Sequence, residues 1–149
     1  MNKKTLFSLV LAAFMLIPTT GAFIQGMNQK SHFSEEKSYV LKTLTVYNPT
    51  HKQCDNTPFI TASNAKIDTL KLRNQKLRWM ALSRNLLKRW KGVFSYGDTV
   101  RLYTGDPDID GLWIIQDNLN KRYRDRGDLL FDRTIRTYGR WKNAKIYKV

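Results

Sequence analysis

Two aspartates in the carboxyl-terminal third of the chain are the side chains best suited to proton transfer. Asp117 follows the predicted strand 112–116, and Asp128 begins the apolar run 128–131. A carboxyl group presented at the end of a strand has a raised pKa when it is partly buried, which prepares it to donate a proton. A second carboxyl group nearby strengthens this effect, because like charges resist simultaneous ionisation. The pair therefore indicates an acid/base site.

The alternative for these two residues is structural. Asp117 and Asp128 can cap turns, or they can form surface ion pairs with the arginines of the segment between and beside them. Those arginines are Arg122, Arg124 and Arg126.

Cysteine and metal chemistry have little support in the sequence. Cys54 is the single cysteine, which excludes an intrachain disulfide and a metal cage built from several cysteines. His32 and His51 are the two histidines, so a zinc site would need carboxylates to complete it. His51 and Asp55 lie near Cys54 in a turn-rich segment, whereas a Cys–His pair depends on spatial geometry. We expect no metal, no cofactor and no catalysis by Cys54.

The charge of the chain points to anionic partners. Its 149 residues contain 26 Lys and Arg against 12 Asp and Glu, a formal net charge of +14. Such a protein associates weakly, and in a salt-dependent manner, with anionic surfaces such as lipid headgroups and cell-envelope polymers. A basic surface that is merely solvated is the alternative. With 42% apolar residues the chain can build the core of one domain, which argues against wholesale disorder.

The amino-terminal residues have the order of an export signal. Lys3 and Lys4 precede the apolar stretch 6–18, and small or weakly polar residues follow at 19–22. We interpret residues 1–22 as a signal peptide cleaved after Ala22. The apolar stretch is short for a spanning helix, which needs roughly 20 residues, and retention as an uncleaved anchor is the alternative. The expected location is the periplasm or cell envelope, or outside the cell, which disfavours nucleic acid as a partner.

Residues 23–38 have no clear period and are interpreted as a lead-in, and residues 39–149 as the folded domain. Runs of β-branched and aromatic residues separated by turn formers predict short strands. The predicted strands are 39–47, 59–62, 78–82, 99–103, 112–116 and 143–149.

Little helix is predicted in this domain. Residues 66–77 are interpreted as a loop, residues 83–89 as a helical turn capped by Ser83, and residues 132–137 as a short helix ended by Gly139. Short strands with little helix favour an all-β fold with minor helix, closed as a small barrel.

The segment with both aspartates resembles the signature of the 3D domain family, named for three aspartates. This family is related to the catalytic region of membrane-bound lytic transglycosylase A. Its pattern is an apolar strand ending in Asp-Thr-Gly or Asp-Val-Gly, a short basic loop, and an Asp followed by an aliphatic and aromatic run. Residues 117–119 and 128–131 occupy those places. Further similar elements lie at 44–49, 80–83, 96–100, 138–140 and 143–147.

The resemblance implies a six-stranded double-psi β-barrel. Ser83 stands where the family has its first aspartate, and Asn118-Leu119-Asn120 replaces the glycine after the second. A hydroxyl group cannot supply a proton at an acidic pKa. A mechanism that needs all three carboxyl groups would therefore fail in this chain.

The resemblance also implies a reaction on peptidoglycan. A lytic transglycosylase cleaves the glycan strand between N-acetylmuramic acid and N-acetylglucosamine, and the sugar's own 6-hydroxyl attacks to form a 1,6-anhydro end. Asp128 would act as acid and then as base, and Asp117 would tune it or bind sugar hydroxyls. The residues expected to contact the substrate are Ser83, Asn118, Asn120, Lys121, Arg122 and Tyr123.

A function from another class stays open. A non-catalytic module could bind peptidoglycan or another envelope polymer through the same groove and the basic surface. Ser83 in place of an acid favours this alternative. The bases of residues 121–126 would contact the carboxylates of peptidoglycan stems in either case.

Overall fold

The structure is a computed structural model that describes residues 37–54, 56–135 and 139–149. The expected signal peptide, residues 1–22, lies outside the described residues. The strands are β1 (Ser38–Leu41), β2 (Thr43–Tyr47), β3 (Trp79–Leu82), β4 (Thr99–Tyr103), β5 (Gly111–Asn118), β6 (Arg126–Leu130) and β7 (Ala144–Lys148). The helical elements are α1 (Thr69–Arg73) and two 3-10 turns, Arg84–Leu86 and Lys88–Trp90. The described chain is therefore mostly β with minor helix, as predicted.

The strands form one mixed seven-stranded sheet in the order β1-β7-β4-β5-β3-β6-β2. The pairs β2–β6 and β3–β5 are parallel, and the other four pairs are antiparallel. The two ends of this order, β1 and β2, are separated in the chain by Lys42 alone. The described pairings therefore give a sheet whose two end strands are not paired with each other. The resemblance implied a closed barrel of six strands instead.

One apolar core collects side chains from all seven strands. The alternation in β4 illustrates the cause, since Val100 and Leu102 are buried while Arg101 and Tyr103 are exposed. A period of two places every second side chain on the core face. Full burial of one such aliphatic side chain stabilises the fold by about 1.5–3 kcal/mol. The core includes Leu41, Leu44, Met80, Leu82, Val100, Trp113, Ile115, Leu129 and Ile146.

A second, smaller cluster lies where α1 packs. Ile67, Leu72 and Leu130 are buried there, with Tyr47 and Trp79 packed against them. The helix begins after Asp68, whose carboxylate accepts hydrogen bonds from the backbone N–H groups of Leu70 and Lys71. The prediction of a loop over 66–77 was wrong for these five helical residues, because a helix that buries only Leu72 leaves no helical period to read.

Two other local predictions need correction. Ser83 precedes the 3-10 turns, but its side chain does not cap them. Its hydroxyl instead accepts a hydrogen bond from the backbone N–H of Arg126 at 3.0 Å. The segment 59–62 forms a single bridge, between Ile60 and Lys66, rather than a strand.

The predicted helix over 132–137 is also wrong in its described part. Residues 133–135 form a turn, in which the Asp132 carboxylate accepts hydrogen bonds from the backbone N–H and the hydroxyl of Thr134. Residues 136 and 137 lie outside the described residues.

Gly92, which follows the second 3-10 turn, packs closely against the backbone where the two turns meet. A Cβ atom at this position would lie 2.1 Å from the carbonyl carbon of Leu86 and 2.5 Å from the backbone nitrogen of Leu87. Backbone atoms cannot yield as a flexible side chain can. We expect Gly92→Ala to lower the free energy of unfolding by about 1–3 kcal/mol, measured by urea denaturation. Lys88→Ala, an exposed change in the same region, should stay within about 0.5 kcal/mol; equal effects of the two would contradict the packing argument.

Candidate functional site

The two aspartates lie in one row that crosses four neighbouring strands. Thr45 on β2 pairs with Asp128 on β6, and Asp128 pairs in turn with Ala81 on β3. Ala81 also pairs with Asp117 on β5. Directly opposed residues project from the same face of a sheet. Because neighbouring strands are about 4.8 Å apart, the Cα atoms of the two aspartates are separated by about 10 Å.

A shift in register decides where the Asp117 side chain points. Regular alternation along β5 would place it on the face of Trp113 and Ile115, which is the core. Met80 pairs with Ile115 and the next residue, Ala81, pairs with Asp117, so Gln116 is an extra residue on β5. A β-bulge re-aims the side chains that follow it. Asp117 is therefore turned out of the core.

Both aspartates line an open groove of about 800 Å³, which we call the main groove. Ala81, a small residue, lies between them in the row and also lines it. One wall comes from the loop after β2, which includes Thr61 and Ala62, and the other from the residues after β5. The structure thus brings Asp117 and Asp128 to one surface large enough for a saccharide.

The half-buried carboxyl group of Asp128 is held by Thr45. The Thr45 hydroxyl donates a hydrogen bond to Oδ1 of Asp128. Burial raises the pKa of Asp128, and the negative charge of Asp117 raises it further, while the Thr45 hydrogen bond and the charge of Arg126 lower it. The net shift is upward. Within the described residues Asp128 forms no ion pair, so the surface-pair alternative does not describe it.

Backbone and side-chain donors orient Asp117. Its Oδ1 accepts hydrogen bonds from the backbone N–H groups of Ala62 at 3.1 Å and Asn118 at 2.8 Å. Its Oδ2 accepts one from the hydroxyl of Tyr47 at 3.3 Å. Burial raises the pKa of Tyr47 well above its usual range, and the charge of Asp117 adds to the rise. The phenol therefore stays protonated and remains a donor.

Four of the six residues expected to contact substrate line the main groove, namely Asn118, Asn120, Arg122 and Tyr123. Lys121 lies instead at a separate depression beside Trp90. The Asn118 side chain accepts a hydrogen bond from the hydroxyl of Tyr96 at 2.6 Å.

Ser83 requires a correction. It is 0% exposed, and its hydroxyl is used by the backbone of Arg126. The structure therefore buries Ser83 and does not place it on the surface of the main groove.

Sequence reasoning did not place Thr45 and Tyr47 against the two aspartates. A signal for them existed in the residues, since Thr43, Thr45 and Tyr47 alternate with the apolar Leu44 and Val46 along β2. That alternation marks a polar face of the strand. The alternation does not show which strand pairs with β2, because its partner β6 lies about eighty residues away in the chain.

Cys54 also lines the main groove, and its thiol donates a hydrogen bond to the carbonyl oxygen of Asn48 at 3.5 Å. His51 is exposed, and Asp55 lies outside the described residues. In the described ranges, no three metal-ligating side chains cluster. The helices of the described chain include none with the length and apolarity to cross a membrane.

No protein-family model matches this chain, and no curated protein matches it significantly.

Thr45→Val tests the hydrogen bond at Asp128. Valine keeps the shape of the side chain but removes the donor, so we expect the pKa of Asp128 to rise further, measured by NMR titration of the carboxyl carbon. At neutral pH the loss of a hydrogen bond to a charged group should also cost about 2 kcal/mol of stability. Thr43→Val, two residues earlier on the same strand, is the matched control and should leave the pKa of Asp128 unchanged. An equal pKa in both variants would contradict the role of Thr45.

Proposed function

We propose that this protein is an exported cell-wall enzyme that cleaves peptidoglycan glycan strands as a lytic transglycosylase. The observation that carries the proposal is the pairing of Asp117 and Asp128 with the same residue, Ala81, at the floor of the main groove. The raised pKa of Asp128 supports its use as a proton donor. The resemblance of residues 117–131 to the 3D domain signature supports the choice of substrate.

In the proposed reaction Asp128 begins in its protonated form. It donates its proton to the glycosidic oxygen between N-acetylmuramic acid and N-acetylglucosamine as the bond from that oxygen to C1 breaks. The resulting carboxylate then takes the proton of the muramic 6-hydroxyl, whose oxygen bonds to C1. No water is consumed, and Asp128 ends protonated as it began.

Asp117 acts beside this group rather than on the scissile bond. Its charge contributes to the raised pKa of Asp128, which keeps the acid form available. Tyr47, Ala62 and Asn118 hold its carboxylate in place at the main groove.

We also infer that the strands close as the six-stranded double-psi β-barrel of the 3D family. Lys42 alone separates β1 from β2, so the two can act as one strand that pairs first with β7 and then with β6. The single core shared by all seven strands supports closure. A crystal structure in which 38–47 is one continuous strand would agree, and one with two free sheet edges would not.

Export belongs to the same proposal. The charged, apolar and small residues of 1–22 support a cleaved signal peptide and a location in the periplasm or envelope. Amino-terminal sequencing of protein recovered from the envelope fraction should begin at Phe23. A mature chain that begins at Met1 would indicate a retained anchor.

One observation favours a second candidate, a non-catalytic envelope-binding module. The position of the family's first acid is occupied by Ser83, and its hydroxyl is committed to the backbone of Arg126. A groove without this acid could retain a glycan strand and leave it intact.

Incubation of the purified protein with sacculi separates the two candidates. An enzyme releases soluble fragments with 1,6-anhydro ends, which mass spectrometry distinguishes from hydrolysed ends by the missing water. A binding module sediments with the sacculi and releases nothing. Hydrolysed ends would contradict the proposed reaction.

A further inference from the structure

A second opening lies beside Asp128, on the side of Thr45. This side cleft has a volume of about 320 Å³ and is lined by Thr43, Thr45, Leu119, Tyr123, Arg126, Asp128 and Arg140. Leu119, Tyr123 and Asp128 also line the main groove. The Asp128 carboxyl group therefore lies where the two openings meet. A linear polymer that crosses Asp128 would leave sugar residues on both sides of it.

The two openings differ in charge. The side cleft contains two arginines, and Asp128 is the one acid among its described lining residues. Asp125, the acid next to Arg126 in the chain, does not offset them, because it pairs with Lys42 at 2.8 Å and accepts a hydrogen bond from Asn85. The main groove is also lined by two arginines, but there Asp117 and Asp128 balance them. The side cleft is thus the more cationic of the two.

Arg126 is held at the side cleft from two directions. Its backbone belongs to β6 and donates to the Ser83 hydroxyl. Its guanidinium group lies 5.0 Å from the centre of the Tyr123 ring. Stacking of this kind reduces the freedom of the arginine side chain. A guanidinium group held in place binds a carboxylate through two parallel hydrogen bonds.

We propose that the side cleft binds the carboxylate carried by the muramic residue and so sets the register of the glycan strand. This inference rests on the proposed function. In peptidoglycan only every second sugar, N-acetylmuramic acid, carries an acidic substituent. With that residue in the side cleft, its C1 and 6-hydroxyl lie toward Asp128, and N-acetylglucosamine extends into the main groove. The arginines thereby select which of the two alternating linkages is placed over the acid.

The carboxylate has two sources that the experiment separates. Uncrosslinked glycan strands with peptide stems carry stem carboxylates, and strands stripped by an amidase carry the free lactyl carboxylate. Chitin oligosaccharides carry neither. Binding of these three probes is measured in the Asp128→Asn background, in which no bond should break, with and without Arg140→Gln. Arg140 is exposed and is not among the groups that shift the pKa of Asp128.

Arg140→Gln should weaken binding of a carboxylate-bearing probe about tenfold and leave chitin oligosaccharides unaffected. If Arg140→Gln weakens the binding of stem-bearing strands alone, the stem carboxylates are the ligand. If it weakens the binding of stripped strands, the lactyl carboxylate is the ligand. Arg101→Gln, an exposed change of equal charge on β4, is the matched control. Equal weakening by Arg101→Gln, or no weakening by Arg140→Gln, would overturn the proposal.

Arg126→Gln provides an independent readout. Because Arg126 lowers the pKa of Asp128, its removal should raise that pKa and extend activity to higher pH, in addition to weakening the charged probes. The two proposals also fail in different ways. Continued release of anhydro fragments by Asp128→Asn would contradict the role of Asp128 as the acid. The comparison of Arg140→Gln with its control measures binding without bond cleavage, so it tests the side cleft separately.

Discussion

Asp128→Asn is expected to reduce the release of anhydro fragments from sacculi by about 10²–10⁴-fold. General acid–base catalysis contributes a factor of this size, and an amide can neither donate the proton nor recover it. The change is nearly isosteric, and the Thr45 hydroxyl can still donate to the amide oxygen. Fragment release is measured by chromatography with mass spectrometry. Asp108→Asn, an exposed acid in the turn before β5, is the control and should retain full activity.

The same variant makes a prediction about stability that separates chemistry from folding. A carboxyl group whose folded pKa is raised contributes stability that is fully present below its unfolded pKa of about 3.9 and is lost as pH rises through the folded pKa. Asn at position 128 avoids that loss. We therefore expect Asp128→Asn to melt at a higher temperature than the wild type at neutral pH, and at the same temperature in strong acid. An inactive variant that melts lower would point to misfolding instead.

Activity of the wild type should follow the same titration. The proposed reaction needs Asp128 protonated at its start, so the rate should fall as pH rises through the raised pKa. This alkaline limb should move to higher pH in Thr45→Val, where a contact that lowers the pKa is removed. If the alkaline limb of the pH–rate profile is unchanged in Thr45→Val, a group other than Asp128 is responsible for it.

Trp113→Ala is expected to lower the free energy of unfolding by about 3–5 kcal/mol, the range for removal of a large buried aromatic ring. Trp113 is 2% exposed, its ring centre lies 5.8 Å from that of Phe131, and its indole N–H donates to the carbonyl oxygen of Ile109 at 2.9 Å. Against a total stability of about 5–15 kcal/mol, a loss of this size unfolds part of the population.

Urea denaturation measures this loss, and Leu112→Ala on the same strand provides the control. Leu112 is 49% exposed, so its truncation leaves no cavity and should stay within about 0.5 kcal/mol. Since β5 also carries Asp117, repacking around the cavity left by the Trp113 ring should reduce activity as well. If Trp113→Ala lowers the free energy of unfolding only as much as Leu112→Ala does, the neighbouring core side chains have filled the space of the missing ring.

Strands with regular alternation were predictable from the residues alone. In β4, polar and apolar side chains alternate between Thr99 and Tyr103, and the turn formers after Tyr103 end the strand. The information is local, because the pleat itself imposes the period of two. Elements without such a period were missed, as in α1, where a five-residue helix buries only Leu72.

Residue chemistry also identified Asp117 and Asp128 as candidates, because a carboxyl group beside an apolar run is a recognisable arrangement. It could not rank the residues around them. Ser83 was expected at the substrate and is buried, whereas Thr45 and Tyr47 were not expected to contact the carboxylates and do so. These roles depend on which strand lies beside which, and pairing partners distant in the chain leave no local signal.

The sequence by itself determined that this protein is a basic, mostly β chain with two well-separated acids suited to proton transfer, because composition and alternation act residue by residue. Only the tertiary structure decided that both acids face one groove. Ala81 pairs with Asp117 on one side and Asp128 on the other, and one extra residue on β5 turns Asp117 away from the core. That outcome depends on the register between three strands, which is set by packing across the whole sheet.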